Sequence, residues 1–183
     1  MHKKDPPKNG ILIETKRLLL KPLSMQWKEV IFREFTEEIT LFMFPRAAKK
    51  MAETEDFIVS TMEKMKQGKE IVCVTLEKQS EEFLGCAGLH EINTNFPELG
   101  IWLKKSAHGK KYGREAITAL KQWADEHLTY DHIVYPVDRD NIASRKIPES
   151  LGGVIHREYE KKNLSGNTLH TVEYWISPAR LIP

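Results

Sequence analysis

Residues 98–116 read ELGIWLKKSAHGKKYGREA and carry the strongest structural signal in the chain. Its first part, Glu98 to Lys104, has the apolar content of a strand. A glycine-containing turn follows from Ser106 to Gly113, and apolar residues then recur at helical spacing to about Leu128. The stretch therefore predicts a strand, a turn and a long helix in direct succession.

The predicted turn has the properties of an anion-binding loop. The first N–H groups of a helix have no partner within the helix, and the helix dipole makes that end positive. Gly109 and Gly113 let the backbone approach a ligand, and Lys110 and Lys111 add positive charge. These features favour a bound phosphate or pyrophosphate. The glycines alone leave open an ordinary turn with solvated lysines.

The rest of the chain predicts a mixed sheet with helices on its faces. Residues 1–10 are expected to form a flexible lead-in, and residues 11–183 a single domain. Strands are predicted at 11–22, 71–77, 83–91, 98–104, 132–137, 154–160 and 168–176. Helices are predicted at about 24–35 and 53–67, from the turn to 128, and from 141 to about 151.

The composition argues against several classes of protein. A net charge of +2 gives no reason to expect nucleic acid or a membrane as a partner. The polar N-terminus does not read as a signal peptide, and no apolar run approaches the roughly 20 residues of a membrane span, so a cytoplasmic protein is expected. Cys73 and Cys86 are predicted to be buried free thiols, and no Cys or His spacing predicts a metal site.

Four segments together resemble one enzyme family. Residues 98–116 resemble the acetyl-CoA-binding motif of the GCN5-related N-acetyltransferases (GNAT), in the branch that contains the ribosomal-protein N-terminal (alanine/serine) acetyltransferases. Residues 15–22, 83–89 and 140–145 resemble the opening strand, the central strand and the late helix of that branch. Three residues depart from the family pattern. His108 and Lys111 stand at loop positions usually held by Gln or Arg and by Gly. Pro148 lies inside the late helix, which it is expected to kink or shorten because proline removes one backbone donor.

The resemblance implies an α+β fold of the GNAT type. Its strongly twisted mixed sheet would have about seven strands, splayed between the fourth and fifth and flanked by about four helices. The implied reaction transfers an acetyl group from acetyl-CoA to a primary amine, on a protein N-terminus or a small molecule, by direct attack in a ternary complex. A degenerate member that binds coenzyme A as a sensor, and a partner-binding domain without a cofactor, are the alternatives. A monomer or a homodimer is expected.

The resemblance also assigns residues to the cofactor. The pyrophosphate would be held mainly by backbone N–H groups of the loop, and the pantetheine would insert at the splay, near Asn141 and Ser144. The implied cofactor-binding residues are Leu99, Ile101, Trp102, Leu103, His108, Gly109, Lys110, Lys111, Tyr112, Gly113, Arg114, Asn141 and Ser144. Asn141 could equally be a helix N-cap.

The catalytic assignments concern the thiolate and the amine proton. Ser144 matches the family position that hydrogen-bonds or protonates the sulfur, although it could be an ordinary small helix residue. For the base, Glu98 is the first candidate and Glu91 and His90 are the next, with surface solvation as the alternative for each. The acceptor site is expected between the first two helices and the last hairpin. Its candidate lining residues, which could equally belong to the core, are Phe42, Met43, Phe44 and Tyr174.

Overall fold

A computed structural model describes residues 11–179 of the chain. The helices are α1 (Lys28–Glu34), α2 (Glu37–Thr40), α3 (Met51–Lys66), α4 (Tyr112–His127) and α5 (Ile142–Ser150). The strands are β1 (Ile13–Glu14), β2 (Leu18–Pro22), β3 (Ile71–Glu77), β4 (Phe83–His90), β5 (Glu98–Leu103), β6 (Ile133–Asp138), β7 (Val154–Lys162) and β8 (Thr168–Ile176). The predicted lead-in, residues 1–10, lies outside the described residues.

The strands form one open sheet in the order β1-β2-β3-β4-β5-β6-β8-β7. All neighbouring strands run antiparallel except β5 and β6, which are parallel and share a single register pair, Glu98 with Val134. Beyond that pair the two strands diverge. The predicted α+β fold, with a mixed sheet splayed at this point, is confirmed.

The structure corrects the predicted strand at 11–22, and with it the strand count. The chain turns after β1, where the Leu18 N–H donates to the Thr15 hydroxyl oxygen at 2.9 Å and the Thr15 N–H donates to the Leu18 carbonyl. Residues on the two sides of this turn then pair, Ile13 with Leu20. One predicted strand is therefore a hairpin, because a threonine side chain satisfies the backbone locally.

Two apolar clusters lie on opposite faces of the sheet. On one face, Leu99 of β5 packs with Ile117 and Leu120 of α4. On the other, Val74 of β3 packs with Ile31 of α1 and Ile58 of α3. Because successive strand residues point to opposite faces, each strand of the middle of the sheet supplies both clusters. The site described below lies at the splay, and residues of both clusters line it.

Two smaller predictions can be compared directly with the structure. Pro148 does not break α5, which continues through it to Ser150. Cys73 and Cys86 are buried and unpaired, and burial raises the pKa of the Cys73 thiol to about 12.

No helix in residues 11–179 is both long and apolar enough to cross a membrane.

Candidate active site

The loop before α4 presents unpartnered backbone donors. Lys111 is the N-cap residue of α4 and offers no side-chain acceptor to the first turn. Within residues 11–179, no backbone acceptor outside the helix pairs with the N–H groups of residues 112–114. Such donors at the positive end of a helix form a site for an anion. This arrangement fits a phosphate group.

The loop is fastened to the start of the sheet by an ion pair that sequence reasoning did not find. The Arg17 guanidinium donates to Glu115 of α4 at 2.7 Å, and the Arg17 N–H and the Thr15 hydroxyl donate to the same carboxylate. A second guanidinium N–H of Arg17 donates to the Lys110 carbonyl at 3.0 Å. Contacts over about a hundred residues of chain therefore hold the loop in place.

Most of the predicted cofactor residues surround one cavity, of about 410 Å³, which we call the loop cavity. From the predicted set it is lined by Ile101, Trp102, Leu103, His108, Gly109, Lys111, Tyr112, Gly113, Arg114, Asn141 and Ser144. Leu99 and Lys110 do not line it. The His108 Nε2–H donates to the Leu103 carbonyl at 2.9 Å, which ties the loop to the end of β5.

Gly113 forms part of the floor of the loop cavity. A Cβ atom at this position would lie 3.3 Å from Ile147 of α5 and 3.6 Å from both Ile101 and Leu103 of β5. The residue is buried and belongs to the first turn of α4, not to the turn before it as predicted. Its missing side chain lets the start of α4 approach β5 and α5 closely.

Lys111 takes a left-handed backbone conformation, with φ of 62° and ψ of 16°. A side chain makes this conformation unfavourable, whereas glycine adopts it readily. The position where the family pattern has glycine is therefore one where the backbone geometry favours glycine. The lysine side chain is exposed at the edge of the loop cavity.

We expect Lys111→Gly to raise the free energy of unfolding by about 1 kcal/mol, because it removes the left-handed strain. Urea denaturation measures the change. Lys110→Gly is the matched control, since Lys110 has no positive φ and its replacement only adds chain entropy to the unfolded state. A destabilised Lys111→Gly variant would contradict the expectation.

A pair of hydroxyl groups lies at the splay between β5 and β6. The Tyr135 and Ser144 oxygens are 2.9 Å apart, and burial raises the pKa of Tyr135 to about 12. Asn141 caps α5 by accepting the Ser144 N–H at 3.2 Å, so the predicted N-cap is confirmed. Tyr135 was not predicted. The sequence feature that could have indicated it is the alternation of β6, in which Tyr135 shares the core-facing side with Ile133 and Val137.

A second cavity, of about 490 Å³, adjoins the loop cavity; we call it the sheet cavity. Both cavities are lined by Met43, Ile101, Trp102, Asn141 and Ser144, so they meet at the hydroxyl pair. The sheet cavity extends from there between the 42–48 loop, α3 and the β7–β8 hairpin. Its apolar lining includes Leu99 of β5.

The predicted aromatic lining divides between this cavity and the core. Phe42, Met43 and Phe44 line the sheet cavity, and Phe42 and Phe44 remain partly exposed at its mouth. Tyr174 is buried instead, and its hydroxyl donates to Glu149 of α5 at 2.8 Å. The Trp102 ring packs against Phe35, with ring centroids 4.8 Å apart, on the α1 and α3 side of the sheet.

Glu98 and His90 face each other across β4 and β5, where they form a register pair. Both line the sheet cavity. Burial raises the pKa of Glu98, an effect that His90 and Lys161 partly offset and that Glu91 slightly strengthens. A buried carboxyl with a raised pKa that lines a cavity is a candidate proton acceptor.

The remaining base candidate, Glu91, is placed differently. It is exposed, lies just after the end of β4 with φ of 53°, and lines neither cavity. The Nδ1 atom of the neighbouring His90 lies 2.9 Å from a carboxylate oxygen of Glu70, a contact that sequence reasoning missed. Glu70 directly precedes the buried strand β3, and a charged residue at that place was the only feature of the sequence that could have indicated the contact.

Among the described residues, no group of His, Cys, Asp and Glu side chains is arranged to hold a metal ion.

The fold and the site together define an acetyltransferase: an open sheet splayed at one parallel pair, a helix N-terminus beside the splay, and two cavities that meet there. The chain belongs to the acetyltransferase (GNAT) domain family, which matches residues 17–154. By class it is an N-acetyltransferase. The uncharacterized N-acetyltransferase p20 of Bacillus licheniformis is 24% identical over 154 residues, which are 80% of this chain and 86% of that protein.

Solved structures with the same fold include enzymes that act on different amines. The ribosomal-protein-S5-alanine acetyltransferase of Vibrio fischeri has a TM-score of 0.80 at 15% identity, over 94% of this chain and all (100%) of that one. The spermidine N-acetyltransferase of Vibrio cholerae, in complex with CoA and spermine, has a TM-score of 0.77 at 18% identity. That match covers 90% of this chain and 97% of the other.

Proposed function

We propose that this chain moves an acetyl group from acetyl-CoA to a primary amine, by direct attack while both substrates are bound. The observation that carries the proposal is the meeting of the two cavities at Ser144. On one side lie the unpartnered N–H groups at the start of α4, and on the other lies the Glu98 and His90 pair. One substrate with phosphate groups and one amine can therefore approach a common point from opposite sides.

The loop cavity is the proposed site of acetyl-CoA. The N–H groups from Gly109 to Arg114 would hold the pyrophosphate, with Lys111 and Arg114 at the edge of the cavity adding charge. The His108 N–H, which was also predicted to take part, is left out because it already donates to the Lys105 carbonyl at 3.1 Å. Lys110 would contribute through its position in the loop, since its carbonyl binds Arg17. The pantetheine would lie along β5 at the splay, where Leu99, Ile101, Trp102, Leu103 and Asn141 surround the two cavities.

The sheet cavity is the proposed site of the amine. An α-amine has an ordinary pKa of about 8 and a lysine side chain about 10.4, so each arrives largely as an ammonium ion. The Glu98 carboxylate and the opposite imidazole of His90 would hold that ion and remove one proton. Glu91, exposed and outside the cavity, has no part in this proposal.

The hydroxyl pair is the proposed partner of the leaving sulfur. As the C–S bond breaks, the thiolate needs a donor, and Ser144 lies where the cavities join. The raised pKa of Tyr135 keeps its hydroxyl protonated at neutral pH, so it can donate to Ser144 as Ser144 donates onward. The pair would therefore act as one unit.

We expect Tyr135→Phe and Ser144→Ala each to lower kcat about tenfold, and the double variant to lower it little further, because coupled groups are not additive. Steady-state kinetics measures kcat for each variant, together with the KM for acetyl-CoA. Tyr130→Phe is a control that removes a buried tyrosine hydroxyl bonded to Asp125, remote from both cavities. Fully additive losses would contradict a coupled pair.

The acceptor is proposed to be a protein N-terminus or a small polyamine-like amine. Relatives with this fold are named for a ribosomal protein's alanine and for spermidine, which both present primary amines. The mouth of the sheet cavity carries exposed Phe44, Phe57 and Leu164. This apolar rim favours acceptors whose amine is joined to apolar groups.

Two measurements test the proposal. Thermal unfolding with acetyl-CoA at a hundred times its dissociation constant should show about 2.7 kcal/mol of stabilisation. Release of free thiol from acetyl-CoA should then accompany addition of a peptide, a polyamine or an aminoglycoside that is a substrate. Absence of stabilisation at millimolar acetyl-CoA would overturn the cofactor assignment. Stabilisation without thiol release for any amine would show a coenzyme A sensor rather than a transferase.

A further inference from the structure

Glu70 is a buried carboxylate that the proposed machinery does not include. It lies between α3 and β3, and only 7% of the residue is exposed. Among residues 11–179, its one side-chain partner is His90, whose Nδ1 is 2.9 Å from Glu70 Oε2. Burying a carboxylate is costly unless a hydrogen bond or a charge compensates it. The histidine is therefore what makes the buried position of Glu70 tolerable.

This contact determines which nitrogen of His90 carries the proton. When Glu70 is ionised its carboxylate can only accept hydrogen bonds, so Nδ1 is then the donor toward Glu70. A neutral imidazole has one protonated nitrogen, which leaves Nε2 with its lone pair. No partner for Nε2 exists among the described residues.

The position of Nε2 follows from the glycines beneath the ring. A Cβ atom built on Gly88 would lie 2.6 Å from His90 Nε2, and one built on Gly100 would lie 3.7 Å from it. Both glycines line the sheet cavity, as His90 does. The imidazole therefore lies over a side-chain-free part of β4 and β5, with Nε2 on the cavity side and Nδ1 turned toward Glu70.

We propose that Glu70 is a positioning residue that holds His90 as the Nδ1–H tautomer, so that Nε2 receives the proton of the acceptor amine. The inference rests on the proposed function and deepens it, because it says which member of the Glu98 and His90 pair takes the proton. Glu98 then binds the ammonium ion and stabilises the imidazolium that forms opposite it.

The proton balance of this step is complete. The ammonium ion gives one proton to Nε2, and the neutral amine forms the C–N bond with the thioester carbonyl. The C–S bond breaks with its electron pair on sulfur, and the surplus proton of the amine reaches the sulfur through Ser144 and Tyr135. The products are an amide, coenzyme A thiol and imidazolium, which returns its proton to water.

Several charged groups surround this imidazole, and they act in opposite directions. Glu70 and Glu98 face it directly, and both favour the imidazolium. Glu91 follows His90 in the chain and carries the same negative charge as these two carboxylates. Lys161 and Glu173, on the β7–β8 hairpin, act on the site by changing the pKa of Glu98, which Lys161 lowers and Glu173 raises. Of these groups, only Glu70 is hydrogen-bonded to the ring, so its removal has a distinct signature.

We expect Glu70→Gln to lower kcat by about 10- to 100-fold and to move the acidic limb of the kcat/KM profile to lower pH. The sign follows because the imidazolium loses its carboxylate partner and gives up its proton more readily. The KM for acetyl-CoA should not change. Glu160→Gln is the matched control, since Glu160 pairs with Nδ1 of His170 at 3.1 Å on the surface, and neither residue lines a cavity. It should leave both kcat and the profile unchanged.

A second measurement reads the tautomer of the wild-type protein directly. Two-dimensional ¹H–¹⁵N spectra of the imidazole nitrogens distinguish protonated from unprotonated Nδ1 and Nε2, and His90→Gln assigns the signals among the seven histidines. We expect the Nδ1–H form for His90, and a loss of that preference in Glu70→Gln. This result does not depend on turnover or on knowing the acceptor.

The outcomes separate the inference from the proposed function. A dominant Nε2–H tautomer, or a Glu70→Gln variant with the wild-type rate and profile, overturns the positioning role. So does an acidic limb that disappears in Glu98→Gln and stays in place in Glu70→Gln, because Glu98 would then be the proton acceptor. Failure of every amine to release thiol overturns the proposed function instead, and the tautomer measurement still decides the role of Glu70.

Discussion

Gly113→Asp is expected to weaken acetyl-CoA binding by at least about 100-fold, which corresponds to about 2.7 kcal/mol. The new side chain would enter the space between Ile147, Ile101 and Leu103, which lie 3.3 to 3.6 Å from the Cβ position. It would also place a carboxylate at the N–H groups proposed to hold a pyrophosphate. Space and charge therefore act together. Calorimetric titration measures the affinity directly.

Gly113→Ala is the control that separates these effects from misfolding. Its single methyl group makes contacts that small shifts of flexible side-chain ends can relieve. We expect an affinity within about threefold of wild type and a similar circular dichroism spectrum. If Gly113→Asp folds and binds acetyl-CoA as tightly as the wild type, the loop before α4 is not the pyrophosphate site.

Glu98→Gln is expected to lower kcat/KM for the amine by about 100-fold, because the ammonium ion loses the carboxylate that holds it. The affinity for acetyl-CoA should not change, since Glu98 does not line the loop cavity. Steady-state kinetics with the amine varied, together with calorimetric titration of acetyl-CoA, measures both. Glu126→Gln, on the exposed side of α4, is the control for loss of one negative charge.

The same variant should be more stable than the wild type at neutral pH. Burial raises the pKa of Glu98, so the folded protein holds this proton at a higher pH than the unfolded chain does. The Glu98 carboxyl therefore stabilises the folded protein at pH values below the ordinary pKa of a glutamate. That stability is lost as the pH rises through the pKa of Glu98 in the folded protein. Gln removes the cost of the buried charge. A Glu98→Gln variant that unfolds at a lower temperature at pH 7 would contradict this account.

Much of the fold could be predicted because its signals are local. The β-branched run at 71–77 and the turn residues around it predicted β3 with its observed bounds. The prediction at 11–22 was wrong for the opposite reason. Its apolar residues continue on both sides of Thr15, and only the side chain of that residue turns the chain back on itself.

The candidate site was predicted less evenly. The loop from His108 to Arg114 follows from a short contiguous pattern, so its residues could be named together. Tyr135 and Ser144 come from different elements, and their hydroxyl contact depends on how α5 packs over β6. Glu70 and His90 are twenty positions apart and meet only because β3 and β4 pair.

Sequence alone predicts the succession of strands and helices, the glycine-bearing loop before α4 and the family, because periodicity and short motifs are properties of neighbouring residues. Which side chains share the cavities depends instead on how the strands pair and the helices pack. Register places His90 opposite Glu98, and the alternation of strand residues turns both to the face of the sheet cavity. A shift of one residue in that pairing would move every side chain of the strand to the other face. Pairing of this kind depends on the whole sheet, and no short segment of sequence contains it.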